Sequence, residues 1–386
     1  MKAIPYSRQS IGIDDIKAVS KSLKSDFIAR GPKAQEFEGL IAKYCSSKYA
    51  VVVSSGTAAL HLAYVAAGLN NSHEVITSPI TFLSTVNCLL YSGAKPVFAD
   101  IDPKTANIDI KEIEKKITKK TKAIVLVHFA GLPCEMDKIY RLAKKFNLVV
   151  IEDACHALGA KYKYKGKLLK IGSLRHSDIA VFSFHPVKSI TTGEGGAIVT
   201  NDKSIYVKLQ ALKKHGMYRD KAALRQGPWS YQMRDLGFNY LLTDFQCALG
   251  INQLKKIDMF IKMRREIAGI YGNKFKDNPY FDIPCEGKDT MSAWHLYSIR
   301  LKGKYKYKRK DIFLRMRTKG LGVQVHYLPV YLHPYYRKLG FRKGICPKAE
   351  DFYSREISIP VYPLMKKSQL DYVVKKVFEV FKEVKI

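Results

Sequence analysis

The chain has 386 residues, 47% of them hydrophobic and 26% charged, which is the composition of a globular protein with a sizeable core. No run reaches the roughly 18 apolar residues of a membrane span, and no apolar segment follows the first residues, so neither a membrane protein nor a secretory signal is expected. The net charge of +32 comes from basic residues spread along the chain, which argues against a nucleic-acid partner but favours an anionic substrate.

The seven cysteines are odd in number and form no C-x-x-C pair. This pattern argues against a disulfide framework and against a zinc site. We therefore expect a reducing, cytoplasmic location and predict no metal site.

The chain opens with an arm that contains Tyr6. A helical pattern runs from Gly12 to Leu23, and a second helix runs through Tyr44 after a break at Arg30-Gly31-Pro32. The arm is either an ordinary N-terminal segment or part of a ligand site, and the two interpretations stay open here.

A turn after the first predicted strand is a candidate anion site. The strand is Tyr49 to Val53, and Ser54-Ser55-Gly56-Thr57 leads from it into a helix that opens at Ala58. Free N–H groups and the dipole at a helix N-terminus favour a bound anion. Many α/β turns share this pattern, so the turn alone does not identify the ligand.

Further strands alternate with helices along the chain. They are Glu74 to Ser78, Lys95 to Asp100, Ala123 to His128 and Leu148 to Ile151. Such apolar runs predict an α/β domain with a largely parallel sheet. No G-x-G-x-x-G or P-loop follows a strand and opens a helix, so no dinucleotide or P-loop nucleotide site is predicted.

Asp153 follows the last of these strands, where open α/β sheets place their ligands. Its carboxylate is therefore a candidate ligand group, with His156 three residues further on. The alternative is that Asp153 caps the N-terminus of a helix, which is a common role for aspartate.

Lys188 lies in a polar, glycine-containing loop between two apolar runs. The runs are Ile179 to Phe184 and Gly195 to Thr200, both with the pattern of buried strands. Lys188 is either a solvated loop lysine or a lysine made nucleophilic by partial desolvation, as Schiff-base lysines are.

A long helical pattern from Thr243 to about Phe275 leads into the last part of the chain. The elements predicted beyond it are a strand from His295 to Leu301, a helix from Lys310 to Lys319, a strand from Val323 to Tyr327 and a final helix from Ser368. We predict a large domain over residues 1–250 and a small α+β domain over residues 251–386.

The segment around Lys188 resembles a known family. Ser183 to Lys188 reads S-F-x-x-x-K, T-x-G-E-G-G follows, and the next strand ends in T-N-D. This is similar to the cofactor-lysine segment of the DegT/DnrJ/EryC1/StrS sugar aminotransferases, which bind pyridoxal phosphate (PLP). The resemblance covers nearly the whole chain and implies the α/β fold of aspartate aminotransferase, fold type I, working as a homodimer.

The resemblance also implies roles for individual residues. Lys188 holds PLP as a Schiff base and carries protons, and Asp153 keeps the pyridine nitrogen protonated so that the ring is an electron sink. The other cofactor-binding residues that it implies are Gly56, Thr57, Ala58 and Ser183 at the phosphate, Phe82 over the ring, His156 at the ring edge and Asn239 from the partner subunit. The substrate-side residues are Tyr6, His215 and His326.

Some of these assignments have plain alternatives. Phe82 is a core residue if it behaves as most phenylalanines do, and Asn239 shapes its own loop in the other interpretation. The chain also departs from the family at Leu241-Leu242, where an Arg-Met pair is usual, so any contact of that arginine is missing.

Within the family, the segments H-P-V-K-S-I-T-T-G-E-G-G and V-Q-V-H-Y-L-P-V-Y are similar to the branch that leads to pseudaminic acid. The resemblance implies transfer of an amino group from L-glutamate to C4 of a UDP-linked 4-keto-6-deoxy-N-acetyl-hexose. The alternatives are another nucleotide-linked keto sugar, aminated at C3 or C4 and linked to UDP or dTDP, or a non-catalytic PLP-binding protein. Relatives that act as sugar dehydratases carry histidine at the lysine position, and Lys188 argues against that activity.

Overall fold

The computed structural model describes residues 3–385. Its α-helices are α1 (Ile13–Leu23), α2 (Pro32–Cys45), α3 (Gly56–Ala66), α4 (Leu83–Tyr91), α5 (Ile110–Lys116), α6 (Met136–Lys145), α7 (Lys203–Leu212), α8 (Asp244–Leu254), α9 (Ile257–Phe275), α10 (Arg309–Thr318), α11 (Pro334–Lys338), α12 (Pro347–Arg355) and α13 (Lys367–Glu383). Its strands are β1 (Tyr49–Val53), β2 (Glu74–Thr77), β3 (Lys95–Phe98), β4 (Thr121–Val127), β5 (Val149–Asp153), β6 (Lys161–Tyr164), β7 (Lys167–Lys170), β8 (Ile179–Ser183), β9 (Gly196–Thr200), β10 (Met217–Tyr218), β11 (Gln232–Met233), β12 (Phe281–Asp282), β13 (Thr290–Met291), β14 (Tyr297–Leu301) and β15 (Glu356–Ile359). None of these helices is long and apolar enough to cross a membrane.

A seven-stranded sheet organises the first two thirds of the chain. Its order is β1-β9-β8-β5-β4-β2-β3. Strand β9 is antiparallel to both of its neighbours, and the other neighbouring strands are parallel. The predicted α/β class with a largely parallel sheet is confirmed.

Both faces of this sheet are covered by helices. Side chains alternate between the faces along each strand. Val52 and Leu126 belong to a core that includes residues of α2 and α6, whereas Val51 and Val125 belong to a core that includes residues of α3 and α7. Burial on both faces explains why these strands read as continuous apolar runs in the sequence.

The parallel strands β4, β5 and β8 end at one edge of the sheet. Strand β5 pairs with both of the others, and Asp153 is its last residue, two positions beyond the predicted end at Ile151. The loop that carries Lys188 leaves the same edge from the end of β8. The strand order therefore brings together side chains that are far apart in the sequence.

Helix α9 takes part in two hydrophobic cores. Phe260 and Ile261 pack into the core under the large sheet, whereas Tyr271 and Phe275 pack into a core with the antiparallel sheet β12-β14-β15. The predicted long helix is in fact α8 and α9, separated at 255–256. The domain boundary at 250/251 remains a prediction.

The predicted strand from Val323 to Tyr327 is wrong. This segment makes a single antiparallel bridge, between Gln324 and Ser358. The N–H that would form the next hydrogen bond to the same strand is that of His326, two residues on. It donates to the carboxylate of Glu356 instead of to a strand carbonyl, at 2.6 Å. A side chain therefore takes the place of the next rung of the ladder.

The N-terminal arm docks on the C-terminal part of the chain. Ile4 is buried in the core that contains Tyr271. Its N–H donates to the carbonyl of Gly320 at 2.9 Å, and its carbonyl accepts the N–H of Gly322 at 2.7 Å. These two bonds fix the start of the arm beside the chain segment that leads to His326.

Candidate active site

Lys188 lies at the sheet edge in the loop between β8 and β9. Its side chain is half-buried, and its N–H donates to the carbonyl of His185 at 2.9 Å. Burial lowers the pKa of Lys188, and the neighbouring Cys155 and Asp153 act in the opposite direction. A lysine whose neutral form is favoured is more nucleophilic than a solvated one, so the structure supports the desolvated interpretation.

Asp153 is a buried carboxylate whose oxygens are held by other side chains and by the backbone. The hydroxyl of Thr85 donates to Oδ2 at 2.6 Å, and the N–H of Cys155 donates to Oδ1 at 3.2 Å. Residues 154–160 form turns, so no helix begins at Asp153. The helix-cap alternative is therefore wrong, and Asp153 is available as a ligand group.

The turn after β1 opens helix α3 with free amide groups. The Ser55 hydroxyl accepts the N–H of Ala58 at 3.0 Å, so this amide is already used by the helix cap. The N–H groups of Gly56 and Thr57 lie in the first turn, where a helix offers no acceptor. A Cβ on Gly56 would lie 2.8 Å from Cβ of Ser183, which places the turn against the end of β8. The amides of the turn that have no acceptor in the helix are therefore those of Gly56 and Thr57, beside Ser183, and the role of this turn and of Ala58 at a phosphate remains a prediction.

Phe82 presents an exposed aromatic face next to these groups. Its residue surface is 56% exposed, which contradicts the core-packing alternative. Its ring centroid lies 6.3 Å from that of Tyr327, whose hydroxyl is 3.3 Å from Nε2 of His156. Phe82 is thus free to stack on a bound ring.

The ring of His156 packs against that of a second buried histidine, His295, at a tilt of 37°. The ring centroids of His156 and His295 are 4.2 Å apart, and the Nδ1 atoms of both are buried without a hydrogen-bond partner. Burial, assisted by the nearby charge of Lys188, lowers the pKa of both rings. An orphaned buried nitrogen next to Lys188 fits a ligand atom that completes its bonding.

Tyr6 and His326 lie beside the Lys188 segment. Their ring centroids are 5.7 Å apart, and the hydroxyl of Ser7 donates to the carbonyl of Val187 at 3.3 Å. Burial and the charge of Lys188 lower the pKa of His326 to about 3. The arm therefore lies against the Lys188 segment, and the role of Tyr6 and His326 in binding a substrate remains a prediction.

The structure places Asn239 and His215 in a separate, exposed group. The N–H of His215 donates to the carbonyl of Phe238 at 2.9 Å, and Asn239 forms an antiparallel bridge with Lys214. Within this chain they do not join the residues around Lys188. Their predicted roles at the cofactor and substrate remain predictions.

The sequence analysis missed several residues of this site. Thr85, His295, Tyr327 and Cys155 surround Asp153, His156 and Lys188 through the contacts described above. For Thr85 the sequence offers one signal, which is its position four residues after Thr81. The hydroxyls of these two threonines lie 2.6 Å apart. Nothing in the sequence singles out His295.

The groups at the sheet edge fit PLP. The PLP aldehyde requires an amine, and the pyridine nitrogen requires a carboxylate. The phosphate requires a set of N–H donors, and the ring requires a flat apolar surface that covers it. Groups of these four kinds are present in Lys188, Asp153, the start of α3 and Phe82, which would hold PLP in that order. The sheet and its site thus define the class of fold type I PLP-dependent enzymes.

Comparison with known proteins gives the family. The chain belongs to the DegT/DnrJ/EryC1/StrS aminotransferase family, which residues 9–378 match. It is 41% identical, over 99% of this chain and 98% of the other, to a UDP-4-amino-4,6-dideoxy-N-acetyl-beta-L-altrosamine transaminase of Campylobacter jejuni.

Solved structures agree with this assignment. Helicobacter pylori PseC, an aminotransferase involved in the biosynthesis of pseudoaminic acid, superposes with a TM-score of 0.92 at 35% identity, over 99% of this chain and 100% of that one. The PLP-form of the putative sugar aminotransferase Spr1654 of Streptococcus pneumoniae gives 0.91 at 29% identity, over the full length of both chains. The protein is a PLP-dependent sugar aminotransferase, as the resemblance implied.

Proposed function

We propose that the enzyme transfers an amino group from L-glutamate to C4 of a UDP-linked 4-keto-6-deoxy-N-acetyl-hexose. The observation that carries this proposal is Lys188, half-buried at the edge of the sheet between the arm and Asp153. The name of the Campylobacter relative supports the sugar, the nucleotide and the attack position.

The residues of the site divide the chemistry between them. When bound, PLP supplies an electron sink for the carbon that loses its proton. Asp153 holds positive charge at the ring nitrogen, and Gly56 with Thr57 binds the phosphate. Lys188 takes a proton from the α-carbon of the amino donor and later delivers one to C4 of the sugar. The face of the sugar turned to Lys188 therefore sets the configuration of the product.

We further propose that each site is built from two chains. Asn239 and His215 are exposed and lie apart from Lys188 in their own chain. A phosphate accepts more hydrogen bonds than the two amides at the start of α3 donate, so an amide side chain from a partner would complete its shell. In this arrangement the partner subunit contacts the exposed face of the chain that carries Asn239 and His215.

A panel of substrates tests the proposed function. The purified protein is incubated with PLP, L-glutamate and UDP- or dTDP-linked 4-keto and 3-keto sugars, and the products are identified by mass and NMR. We expect amination at C4 of the UDP-linked N-acetyl sugar. Preferred amination of a dTDP sugar or of C3 would move the proposal to the corresponding alternative. A loss of the PLP absorbance band in the absence of an amino donor would indicate a different reaction. A protein that transfers no amino group to any of the sugars would be a non-catalytic PLP-binding protein.

A further inference from the structure

A chain of hydrogen bonds runs from a buried carboxyl to His326. Glu356 is fully buried, and its Oε2 accepts the main-chain N–H of His326 at 2.6 Å. Its Oε1 accepts the hydroxyl of Ser358 at 2.5 Å, and Oγ of Ser358 lies 2.8 Å from Nδ1 of His326. Ser298 also donates its hydroxyl to Oε1, at 2.9 Å, and its Oγ lies 3.2 Å from Oγ of Ser358.

The charge on Glu356 decides the direction of these bonds, because each hydroxyl carries one proton. When Glu356 is ionised, Ser358 donates to Oε1, and its oxygen accepts the proton on Nδ1 of His326. Nε2 of His326 is then unprotonated and is a hydrogen-bond acceptor.

Protonation of Glu356 reverses the direction of the hydrogen bonds from Glu356 through Ser358 to His326. We place the proton on Oε1, which faces the serine hydroxyls, because Oε2 accepts a main-chain N–H that cannot be reversed. Oε1 then donates to Ser358, and Ser358 donates to Nδ1 of His326. Nε2 now carries the ring proton and is a donor. The imidazole stays neutral in both states, and only its tautomer changes.

We propose that Glu356 is a positioning residue which, through Ser358, fixes Nε2 of His326 as an acceptor for a hydroxyl or amide N–H of the sugar. The inference rests on the proposed function, in which His326 lies on the substrate side of Lys188. Among residues 3–385, the protein bonds the ring of His326 through Nδ1, which leaves Nε2 for a ligand. An acceptor selects sugar O–H and N–H groups and does not bind phosphate or keto oxygens.

The surroundings place the reversal in an accessible pH range. Burial raises the pKa of Glu356 to about 7, while its hydrogen bonds and the charge of Arg309 act in the opposite direction. Tyr327 also faces this carboxyl, and burial keeps its pKa high, so it stays neutral. The groups around His326 are Lys188, Tyr6, Tyr327, His156 and His295. With its pKa near 3, His326 does not gain a proton in the range where Glu356 titrates.

Glu356→Gln imitates the protonated carboxyl at every pH. The amide oxygen of the new side chain has to accept the N–H of His326, so its NH₂ group faces the two serines. Ser298→Ala is the matched control, because it removes a hydroxyl bonded to Glu356 while the direct link from Glu356 through Ser358 to His326 stays in place. Ser358→Ala removes the connection itself and leaves Glu356 in place.

The tautomer is measured directly on the PLP-loaded enzyme. Histidine is labelled with ¹⁵N in the ring, and solid-state NMR spectra are recorded at about pH 5.5 and about pH 8.5, on either side of the Glu356 pKa. The signal that His326→Gln removes assigns the residue. We expect Nε2 to be unprotonated at high pH and protonated at low pH in the wild type and in Ser298→Ala, and protonated at both in Glu356→Gln.

Kinetics give a second readout. Glu356→Gln at high pH should raise KM for the sugar by about tenfold, because an amide N–H of the sugar then faces a second donor and a hydroxyl has to turn to keep its bond, while the half-reaction with the amino donor is unchanged. A wild-type enzyme that aminates no sugar would refute the proposed function and leave the NMR result standing. Protonated Nε2 in the wild type at high pH, or an unprotonated Nε2 in Glu356→Gln, would overturn the inference. If Glu356→Gln does not fold, a pH-dependent tautomer that survives in Ser358→Ala overturns it.

Discussion

In the proposed function, Lys188 serves both as the amine that binds PLP and as the base that moves protons. Its lowered pKa, caused by burial, suits both tasks. We predict that Lys188→Ala retains PLP without a borohydride-stable bond and loses transamination by roughly 10²-fold to 10⁴-fold or more. The measurement is borohydride trapping followed by peptide mass analysis, with the exposed Lys203→Ala as the control. A label on a lysine other than Lys188 would contradict the assignment.

Glu356 also links stability to pH. Its folded pKa of about 7 is above the ordinary value of 4.5, so the folded state holds its proton more tightly than the unfolded state does. The stabilisation is complete below about pH 4.5 and is lost as pH rises through 7. Between about pH 4.5 and pH 7, the free energy of unfolding of the wild type should fall by about 3 kcal/mol relative to that of Glu356→Gln. Urea unfolding at a series of pH values would measure this difference. Parallel pH curves for the two proteins would show that Glu356 titrates normally.

Among single residues, those that lie next to a predicted strand or within a family motif could be predicted from the sequence. Lys188 and Asp153 stand next to predicted strands, in segments with a recognisable order of residues. Thr85, His295 and Glu356 come from distant parts of the chain, and their roles depend on side-chain contacts that only the packed strands create. Local patterns carry no information about such contacts.

The start of α3 is the element that we propose to bind the cofactor phosphate. We predict that Gly56→Ala weakens PLP binding by at least about tenfold, because the added Cβ would meet Ser183 at 2.8 Å and push the turn away from β8. The matched control is Gly39→Ala in α2, where nothing lies within 4 Å of the new Cβ. That variant should keep PLP affinity and gain up to about 1 kcal/mol of stability. Titration with PLP and thermal unfolding measure both; equal PLP affinity in the two variants would refute the role of the turn.

The strands of the large sheet could be predicted within about two residues because burial on both faces leaves an uninterrupted apolar run. The hairpin β6–β7 was not predicted, since Lys161–Lys170 is half polar and basic. The break between α8 and α9 was also missed. There Lys256 directs its ammonium to Asp14 and Asp15 of α1, at 2.6 and 2.8 Å, a contact that helical periodicity cannot reveal.

The charge of the whole molecule bears on substrate capture. A nucleotide diphosphate is anionic and the chain carries +32, so the attraction between them should weaken as salt screens it. We predict that KM for the nucleotide-sugar rises several-fold between about 0.05 and about 0.3 M salt. An uncharged solute at equal osmolality is the control. A KM that does not change with salt would mean that the positive charge has no part in binding.

The proposed two-chain site makes a prediction about mixed dimers. Lys188→Ala and Asn239→Ala chains should each have little activity alone. In a hybrid, both defects fall into one site, and the other site receives native Lys188 from one chain and native Asn239 from its partner. Each hybrid should therefore regain one active site in two, which is about one site in four of an equal mixture after verified random subunit exchange, measured as specific activity.

Two results would count against the shared site. If each chain builds its own site, every site in the hybrid keeps a defect, and mixing restores nothing. If Asn239→Ala alone is fully active, this asparagine is not a phosphate ligand. A homodimer of Lys188→Ala chains, treated in the same way, is the control for recovery unrelated to exchange.

The docking of Ile4 between Gly320 and Gly322 has a consequence for synthesis of the chain. More than 300 residues separate these partners, and a ribosome that adds about 5 to 20 residues per second needs roughly 15 to 60 s to make them. During that time Ile4 of the nascent polypeptide lacks both of these hydrogen-bond partners. The ring of His326, beside which Tyr6 lies, is made a few residues later still, so this side of the site is assembled only when most of the chain has been synthesised.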